Sequence, residues 1–386
     1  LRTKQHNQTM AGIYIHIPFC KTRCIYCDFY STTRSELKER YIHALCRELE
    51  IRRQYLQGEP IETIYFGGGT PSQLSGEDFQ QVFDTIEKTY GMKQVQEITL
   101  EANPDDLTPQ YVQTLTKLPF NRISMGLQTF DEATLRLLNR RHTAAQAITA
   151  IERCREAGFR NISIDLIYGL PGETAERWEH DLTQAIALNP EHISAYHLIY
   201  EEGTPIYKML QQHRVSEVDE ESSVHFFSSL IDRLTVAGYE HYEISNFCRP
   251  GYPSRHNTSY WQGIPYLGCG PSAHSFNRRE REWNIASLNK YLLGIESGER
   301  VYETEILDTT TRYNECIITS IRTSQGLSLT KLKEEFGTEL WQYCLNMAAP
   351  SIKNGMLEER EGNLRLTRKG IFISDSIMSD LLKVEE

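Results

Sequence analysis

Three cysteines in one short segment are the residues of this chain whose types and spacing could do chemistry. Cys20, Cys24 and Cys27 lie in CKTRCIYCDF (20–29), near the start of the sequence. Thiolates this close together can hold zinc, form a redox pair or bind an iron–sulfur cluster. Structural zinc takes four ligands, usually as two pairs, and no second pair follows at that spacing. A redox pair would leave one cysteine over, whereas a cluster on three thiolates keeps one iron open for another ligand. The spacing therefore favours the cluster.

Other polar segments follow predicted strands. Between residue 13 and about residue 205, short apolar runs alternate with amphipathic stretches, which predicts six βα units. Strands are predicted at 13–17, 63–67, 97–102, 122–127, 162–169 and 192–200, with helices between them. Such units imply a parallel sheet covered by helices, either closed or open, whose ligands gather at the carboxyl ends of the strands. Those ends carry GGGTP (67–71), EANP (101–104), Gln128, Asp165 and GLPGET (169–174).

The second half of the chain is less regular. A helix near 219–237 and one strand over 239–247 are predicted before a loop-rich stretch, 249–276, that is dense in glycine, proline and aromatic residues. Residues 310–386 predict a separate small α+β domain with a hairpin (356–367) that turns near Glu361 and Gly362. The pattern is similar to a winged helix. Because acidic residues slightly outnumber basic ones there, we expect a packing or lid role and no DNA binding.

Composition restricts the class of protein. The 386 residues suffice for two or three domains, and a formal net charge of −11 disfavours nucleic-acid partners. The chain has no apolar run of about 18 residues, and its polar start lacks the apolar core of a signal peptide. We expect a cytoplasmic protein with reduced thiols, in which the six other cysteines are buried. Met10 is a candidate start that follows an extension or tag.

The cysteine segment resembles the radical S-adenosylmethionine (SAM) superfamily, whose motif is C-x-x-x-C-x-x-C after a first strand. The segments IYIHIPFC, YFGGGTP, LEANP, RISMGLQTF, DLIYGLPGET and GCGPSAHSF resemble the family of the oxygen-independent coproporphyrinogen III oxidase HemN and the heme chaperone HemW. The likeness covers roughly residues 10–386. It implies an α/β fold: a partial (β/α)6 barrel similar to a TIM barrel, with a small winged-helix-like C-terminal domain. The expected units are an N-terminal extension (1–12), the barrel (13–205), its extension with the loop-rich segment (206–300) and the C-terminal domain (301–386).

The resemblance also implies site residues. Cys20, Cys24 and Cys27 would hold a 4Fe–4S cluster, whose open iron is chelated by the amino and carboxylate groups of SAM. The implied SAM contacts are Tyr14, Gly68, Gly69, Thr70, Glu101, Gln128, Arg140 and Asp165. The two glycines and the threonine would hold the amino-acid part, the glutamate the ribose and the arginine the carboxylate. A plain glycine turn or a surface ion pair would explain each residue alone. Their order after successive strands supports them jointly.

Position 29 separates the two branches of the family. HemN-type oxidases carry a further cysteine there, two residues after the third, and an N-terminal extension before the first strand. This chain has Phe29 and reaches its first strand at residue 13. Both departures favour the HemW branch, which implies heme binding and delivery to respiratory acceptor proteins. Oxidation of coproporphyrinogen III and a HemN-like methyl transfer stay open as alternatives.

Histidines of the loop-rich stretch are the heme-ligand candidates. His256 in RHNTSYW comes first and His274 in SAHSF second, with Arg141 as a contact for propionates. A histidine that only hydrogen-bonds a neighbouring loop, and an arginine at a solvated helix end, are the alternatives. The expected partners are heme or a porphyrin, an apo-heme acceptor and a reductant of the flavodoxin or ferredoxin type. Contact with a membrane surface, without a visible anchor, is also compatible with the sequence.

Overall fold

Six parallel strands with intervening helices form the first half of the chain, as predicted. The computed structural model describes residues 10–384, so the expected extension over 1–12 lies mostly outside the described residues. The elements of this half are β1 (Ala11–Ile17), α1 (Lys38–Ile51), β2 (Ile61–Gly68), α2 (Gly76–Tyr90), β3 (Glu97–Ala102), α3 (Pro109–Leu115), β4 (Arg122–Gln128), α4 (Glu132–Leu137), α5 (Ala144–Glu156), β5 (Ile162–Tyr168), α6 (Ala175–Leu188) and β6 (His192–His197).

The six strands lie side by side in chain order and pair in parallel. On β1, Ile13, Ile15 and Ile17 are fully buried in the core, while Tyr14 and His16 alternate with them and face the concave interior. Within residues 10–384 the two end strands of the sheet do not pair with each other, so the barrel is open. The carboxyl ends of the strands therefore face one accessible rim.

Local signals in the sequence determine where several helices begin and end. Ser75 and Asp78 form the capping box of α2, and Gly91 follows its last turn with a φ of 76°. Thr108 caps α3, whose first residue is Pro109. These caps fix the lengths of the helices, and with them the positions at which the loops of the rim begin.

The chain then extends the sheet on both sides. This part comprises α7 (Pro205–Gln211), α8 (Glu220–Val236), β7 (Glu240–Glu243), β8 (Asn246–Cys248), α9 (Arg255–Trp261), β9 (Tyr266–Cys269), β10 (His274–Phe276), β11 (Glu280–Asn284), α10 (Leu288–Ser297) and β12 (Tyr302–Ile306). Over the described residues the sheet has 12 strands in the order β12-β11-β10-β9-β1-β2-β3-β4-β5-β6-β8-β7.

Two predictions for this region were wrong. The single strand expected over 239–247 is a hairpin, since β7 and β8 pair antiparallel. The loop-rich stretch contains α9, β9 and β10, and β9 pairs in parallel with β1. These elements have three to seven residues, too few to show a period, and are held by their place beside longer strands.

The C-terminal unit has its own core and contains α11 (Thr309–Ile321), β13 (Leu327–Ser328), α12 (Leu329–Lys353), β14 (Leu357–Arg360), β15 (Asn363–Leu366) and α13 (Ser374–Leu381). Helices before a small sheet with a hairpin match the winged-helix-like prediction. Glu361 and Gly362 both have positive φ in the predicted turn. β12 lies within the expected domain 301–386 but pairs with β11 of the large sheet. Among residues 10–384, none of the helices combines the length and apolar composition that crossing a bilayer requires.

Candidate functional site

The loop that follows β1 carries the three cysteines at the rim of the sheet. Backbone hydrogen bonds hold this loop in place: Cys20 N donates to Thr32 O at 2.9 Å, and Ile25 N donates to Leu138 O at 3.3 Å. Ile206 N, at the start of α7, donates to Ile25 O at 3.0 Å. The loop is thus fixed by neighbours from three parts of the chain, although it has no helix or strand of its own.

The three thiols are free and partly exposed. The Thr70 hydroxyl lies 3.3 Å from Cys20 Sγ and donates to it, and an Arg140 Nη donates to Cys24 Sγ at 3.4 Å. Burial raises the pKa of Cys20, and it raises the pKa of Cys27 to about 11. Loading with iron must therefore displace protons from these thiols. Donors already placed on two of the sulfurs fit a thiolate cluster.

Asp106 supports this loop from below, a role that the sequence did not indicate. Its Oδ1 lies 3.0 Å from Lys21 Nζ of the cysteine loop and 3.1 Å from Arg141 Nη2. Its Oδ2 accepts from Ser72 Oγ at 2.8 Å, in the turn after GGGTP. One almost fully buried carboxylate thereby joins three segments of the rim. The one sequence feature that could have drawn attention to Asp106 is its position just after EANP (101–104).

The glycines at the end of β2 are required by packing within the protein. A Cβ on Gly68 would lie 2.6 Å from the His16 ring, and one on Gly69 would lie 2.9 Å from Ile17 O. Gly68 N donates to Glu101 Oε2 and Gly69 N donates to Ile17 O. Both amide N–H groups are therefore already hydrogen-bonded within the protein in this conformation. If the ammonium group of SAM contacts Gly68 or Gly69, the contact would have to be with their backbone carbonyl oxygens.

Arg140 lies at the centre of the rim. Besides Cys24, it donates to Gly126 O and, at 2.8 Å, to Asn103 Oδ1. Its Nε is buried and has no hydrogen-bond partner within the described residues, which is unusual for a buried donor. This free donor fits an anionic ligand such as the SAM carboxylate. Asn103, which the sequence analysis did not single out, orients the guanidinium.

Two carboxylates and two tyrosines line the interior beneath the rim. Tyr65 Oη donates to Glu101 Oε1 at 2.7 Å, and the rings of Tyr14 and Tyr65 stack at 6.1 Å. Burial raises the pKa of Glu101 to about 7, and it raises the pKa of Asp165 to about 6. Both groups can therefore gain or lose a proton near neutral pH. Carboxylates of this kind can accept hydrogen bonds from a ribose.

Gln128 ends β4 in a strained conformation. Its φ is 72°, in the left-handed region that non-glycine residues rarely adopt, and the pairing with β5 shifts register there. The side chain folds over Gly126, where a Cβ would lie 2.7 Å from Gln128 Nε2. Strain of this kind is typical of functional sites, and it brings Gln128 beside Arg140.

His256 lies deep in the interior, on α9. It is 1% exposed, its Nδ1 lies 2.8 Å from Thr63 Oγ1, and its Nε2 lies 2.8 Å from Tyr260 Oη. Its ring stacks on Tyr65, and burial lowers its pKa to about 3. Both ring nitrogens are occupied, so heme ligation in this conformation would require the loss of a hydrogen bond. The arrangement weighs against the expectation that His256 is the ligand.

His274 has an exposed side chain that could bind heme, whereas Arg141 is held in ion pairs. His274 is exposed on β10, and its ring stacks on Trp283 at 5.7 Å. β10 continues the interior face past β9 and β1, which places His274 on the same face as His16. Arg141 lies 2.8 Å from Asp105 and 3.1 Å from Asp106. These ion pairs weigh against the expected contact of Arg141 with propionates.

Two family models match the chain. One describes the radical SAM superfamily and matches residues 14–185, the segment that carries the cysteine loop and all eight expected SAM contacts. The other describes the HemN C-terminal domain and matches residues 307–373. Together they cover the barrel from β1 to β5 with most of α6, and the C-terminal unit up to the start of α13.

Whole-length relatives are similar as well. The protein from Bacillus subtilis named heme chaperone HemW is 33% identical over 97% of this chain and 99% of its own length. A zebrafish protein named radical S-adenosyl methionine domain-containing protein 1, mitochondrial, is 27% identical over 96% of this chain and 87% of its own. Among solved structures, Escherichia coli HemN, described as coproporphyrinogen III oxidase, superimposes with a TM-score of 0.83 at 23% identity. That match covers 97% of this chain and 90% of HemN, and it supports the fold.

Proposed function

The chain belongs to the HemW family of radical SAM proteins, and on that premise we propose that it is a heme chaperone that binds a 4Fe–4S cluster, SAM and heme and passes the heme to acceptor proteins. The observation that carries the proposal is the match to HemW over nearly its whole length, with Phe29 in the cysteine loop. Phe29 occupies the position at which the oxidase branch is expected to carry its further cysteine.

Cys20, Cys24 and Cys27 are the proposed cluster ligands. Thr70 and Arg140 donate to two of these sulfurs and would stabilise their charge after deprotonation. A bound cluster supplies an electron and an open iron for the amino-acid part of SAM. Arg140 Nε would bind the SAM carboxylate and Glu101 the ribose. The proposed SAM contacts are completed by Tyr14, Gly68, Gly69, Thr70, Gln128 and Asp165.

The heme ligand is the least constrained part of the proposal. His274 offers an exposed imidazole beside Trp283, whereas His256 would first have to release Thr63 or Tyr260. We keep both histidines as candidates, together with Arg141 for the propionates if its ion pairs to Asp105 and Asp106 open.

The proposal also covers the partners of the protein and its cellular location. A flavodoxin- or ferredoxin-type reductant would reduce the cluster, and an apo-heme protein would accept the cargo, with contact to a membrane surface compatible with both. We place the protein in the cytoplasm, and its nine free thiols support a reducing compartment.

An anaerobic assay with coproporphyrinogen III separates the chaperone from an oxidase. The reconstituted chain is mixed with SAM, a reductant and the porphyrinogen, and the products are separated by chromatography. We expect unchanged coproporphyrinogen III, while authentic HemN in parallel yields protoporphyrinogen IX. Conversion by this chain at a rate near that of HemN would show that it is an oxidase.

A further inference from the structure

A buried cation in the floor of the barrel has no ion-pair partner among residues 10–384. Arg122 is the first residue of β4, is 1% exposed and belongs to none of the ion pairs formed among residues 10–384. Its Nε is buried without a hydrogen-bond partner within that range, and so is the hydroxyl of Thr99, its partner on β3. Buried charges are normally paired, because removing a charge from water is costly. A buried charge without an ion-pair partner therefore suggests a functional role.

The register of the sheet places this cation below the two interior carboxylates. Arg122 pairs with Thr99, and the next interior position of β4, Ser124, pairs with Glu101. Asp165 on β5 pairs with Gly126, one interior position higher. Side chains two residues apart share a face of a sheet, so the guanidinium and both carboxylates occupy the same enclosed space.

We propose that Arg122 is a positioning residue of the SAM site, whose fixed charge favours the ionised forms of Glu101 and Asp165, the forms that can accept hydrogen bonds from the ribose. The inference rests on the proposed function, because it assumes that these two carboxylates contact SAM. Arg122 touches neither the ligand nor the cluster in this role and acts through the two carboxylates.

The pKa values agree with this role. Burial raises the pKa of Asp165 to about 6, and Arg122 is the first of the influences that oppose the rise. For Glu101, whose pKa is about 7, the Tyr65 hydroxyl is the first opposing influence and Arg122 a further one. Without the guanidinium, both carboxyls would be protonated to a larger extent at neutral pH.

The tyrosines, the two histidines and Arg140 that face this space do not titrate near neutral pH. Burial raises the pKa values of Tyr14, Tyr65, Tyr196, Tyr242 and Tyr260, and it lowers those of His192 and His256. Arg140, whose pKa is raised, stays charged. Glu97 accepts hydrogen bonds from the first two backbone N–H groups of α9. The pH dependence of SAM binding near neutrality should therefore report Glu101 and Asp165.

The test is SAM binding by anaerobic calorimetry to the reconstituted full chain at pH 6, 7.5 and 9. Wild-type affinity should rise with pH through about 7. In Arg122→Met, a rise of about one pKa unit in both carboxyls would weaken binding about fiftyfold at pH 6 and less than about twofold at pH 9. Arg122→Lys should restore most of the affinity. Arg153→Met, in which the lost arginine donates to Leu107 O far from the interior, should match wild type.

Equal weakening at all three pH values, or failure of lysine to rescue, would assign Arg122 a merely structural role and overturn the proposal. Infrared titration of the carboxyl band in the SAM-free chain separates this inference from the proposed function. A shift to higher pH in Arg122→Met, absent when Glu101→Gln and Asp165→Asn are added, supports the electrostatic role even if SAM fails to bind. No shift would overturn it.

Discussion

Arg322, at the end of α11, lies against Glu243 of the barrel: its Nη2 is 3.1 Å from Glu243 Oε2, and its guanidinium lies 4.0 Å above the ring of Trp261. The glutamate side chain is fully buried. Trp261 ends α9, the helix that carries His256. One arginine of the C-terminal unit therefore contacts both the barrel and the helix with the candidate heme ligand.

Removal of this arginine should loosen the contact between the two units. We expect Arg322→Ala to lower the free energy of unfolding by about 3 kcal/mol, because it leaves a buried carboxylate without its partner. Arg40→Ala breaks the exposed pair with Glu296 and should cost less than about 1 kcal/mol. Urea denaturation of both variants measures the difference, and equal costs would show that the Glu243 contact contributes little.

Iron and sulfide content tests the cysteine assignment. Cys20→Ala, Cys24→Ala and Cys27→Ala should each reconstitute with little or no cluster, because three thiolates already leave one iron open. Cys46→Ala, in α1 and outside the loop, should bind iron and sulfide like wild type. Equal loss in the Cys46 variant would show that the cysteine loop is not the specific ligand set.

Two adjacent arginines offer a matched test of the SAM contact. Arg140→Lys should weaken SAM binding about 10- to 100-fold, because lysine cannot reproduce both the fixed contacts and the free Nε. Arg141→Lys keeps a charge near Asp105 and Asp106 and should change the affinity less than about threefold. Iron content, measured on the same samples, must stay constant for the comparison to hold. A larger effect at Arg141 would contradict the assignment.

Heme-titration spectra of two variants decide between the histidines. If His274 is the axial ligand, His274→Ala loses the low-spin Soret band, while His256→Ala keeps it. The structure predicts this outcome, because both ring nitrogens of His256 are already hydrogen-bonded. Loss of the band in His256→Ala alone would mean that heme entry displaces Tyr260 or Thr63 from that ring.

His241 provides a pH test of the fold. Burial lowers its pKa to about 4, and the ring stacks on Phe247 at 4.2 Å. The unfolded chain binds the proton at about pH 6.5, so the contribution of neutral His241 is present above that pH and is lost as the pH falls towards 4. The advantage of wild type over His241→Phe should shrink by about 2 kcal/mol between pH 7.5 and 5. A constant difference in the free energy of unfolding would mean that His241 is not held neutral.

The six βα units and the segments of the rim could be predicted from the sequence pattern, because apolar runs alternate with amphipathic stretches and glycine and polar residues recur after the strands. Gln128 and Asp165 were identified in this way, and the capping box at Ser75 fixed a helix start. That the barrel stays open was implied by the family resemblance. The prediction failed where short elements depend on distant neighbours. α9 holds its place through Glu97, 159 residues from His256, which no local pattern shows.

The supporting residues of the site were missed for a related reason. Asp106, Asn103 and Arg122 resemble ordinary loop or strand residues in the sequence. Their roles come from contacts made after folding: Asp106 joins Lys21 to Ser72, and Asn103 holds Arg140. An arginine that begins an apolar strand, as in RISMGLQ, is the one local sign that could have drawn attention to Arg122.

Heme uptake by the full chain bears most directly on the proposed function. The reconstituted protein, with cluster and SAM present, is titrated anaerobically with heme while the Soret band is recorded. We expect the spectrum to saturate at one heme per chain, and we expect the bound heme to move to an added apo-heme protein faster as the acceptor concentration increases. A linear, unsaturable change equal to that of a protein that does not bind heme would contradict the assignment as a heme chaperone.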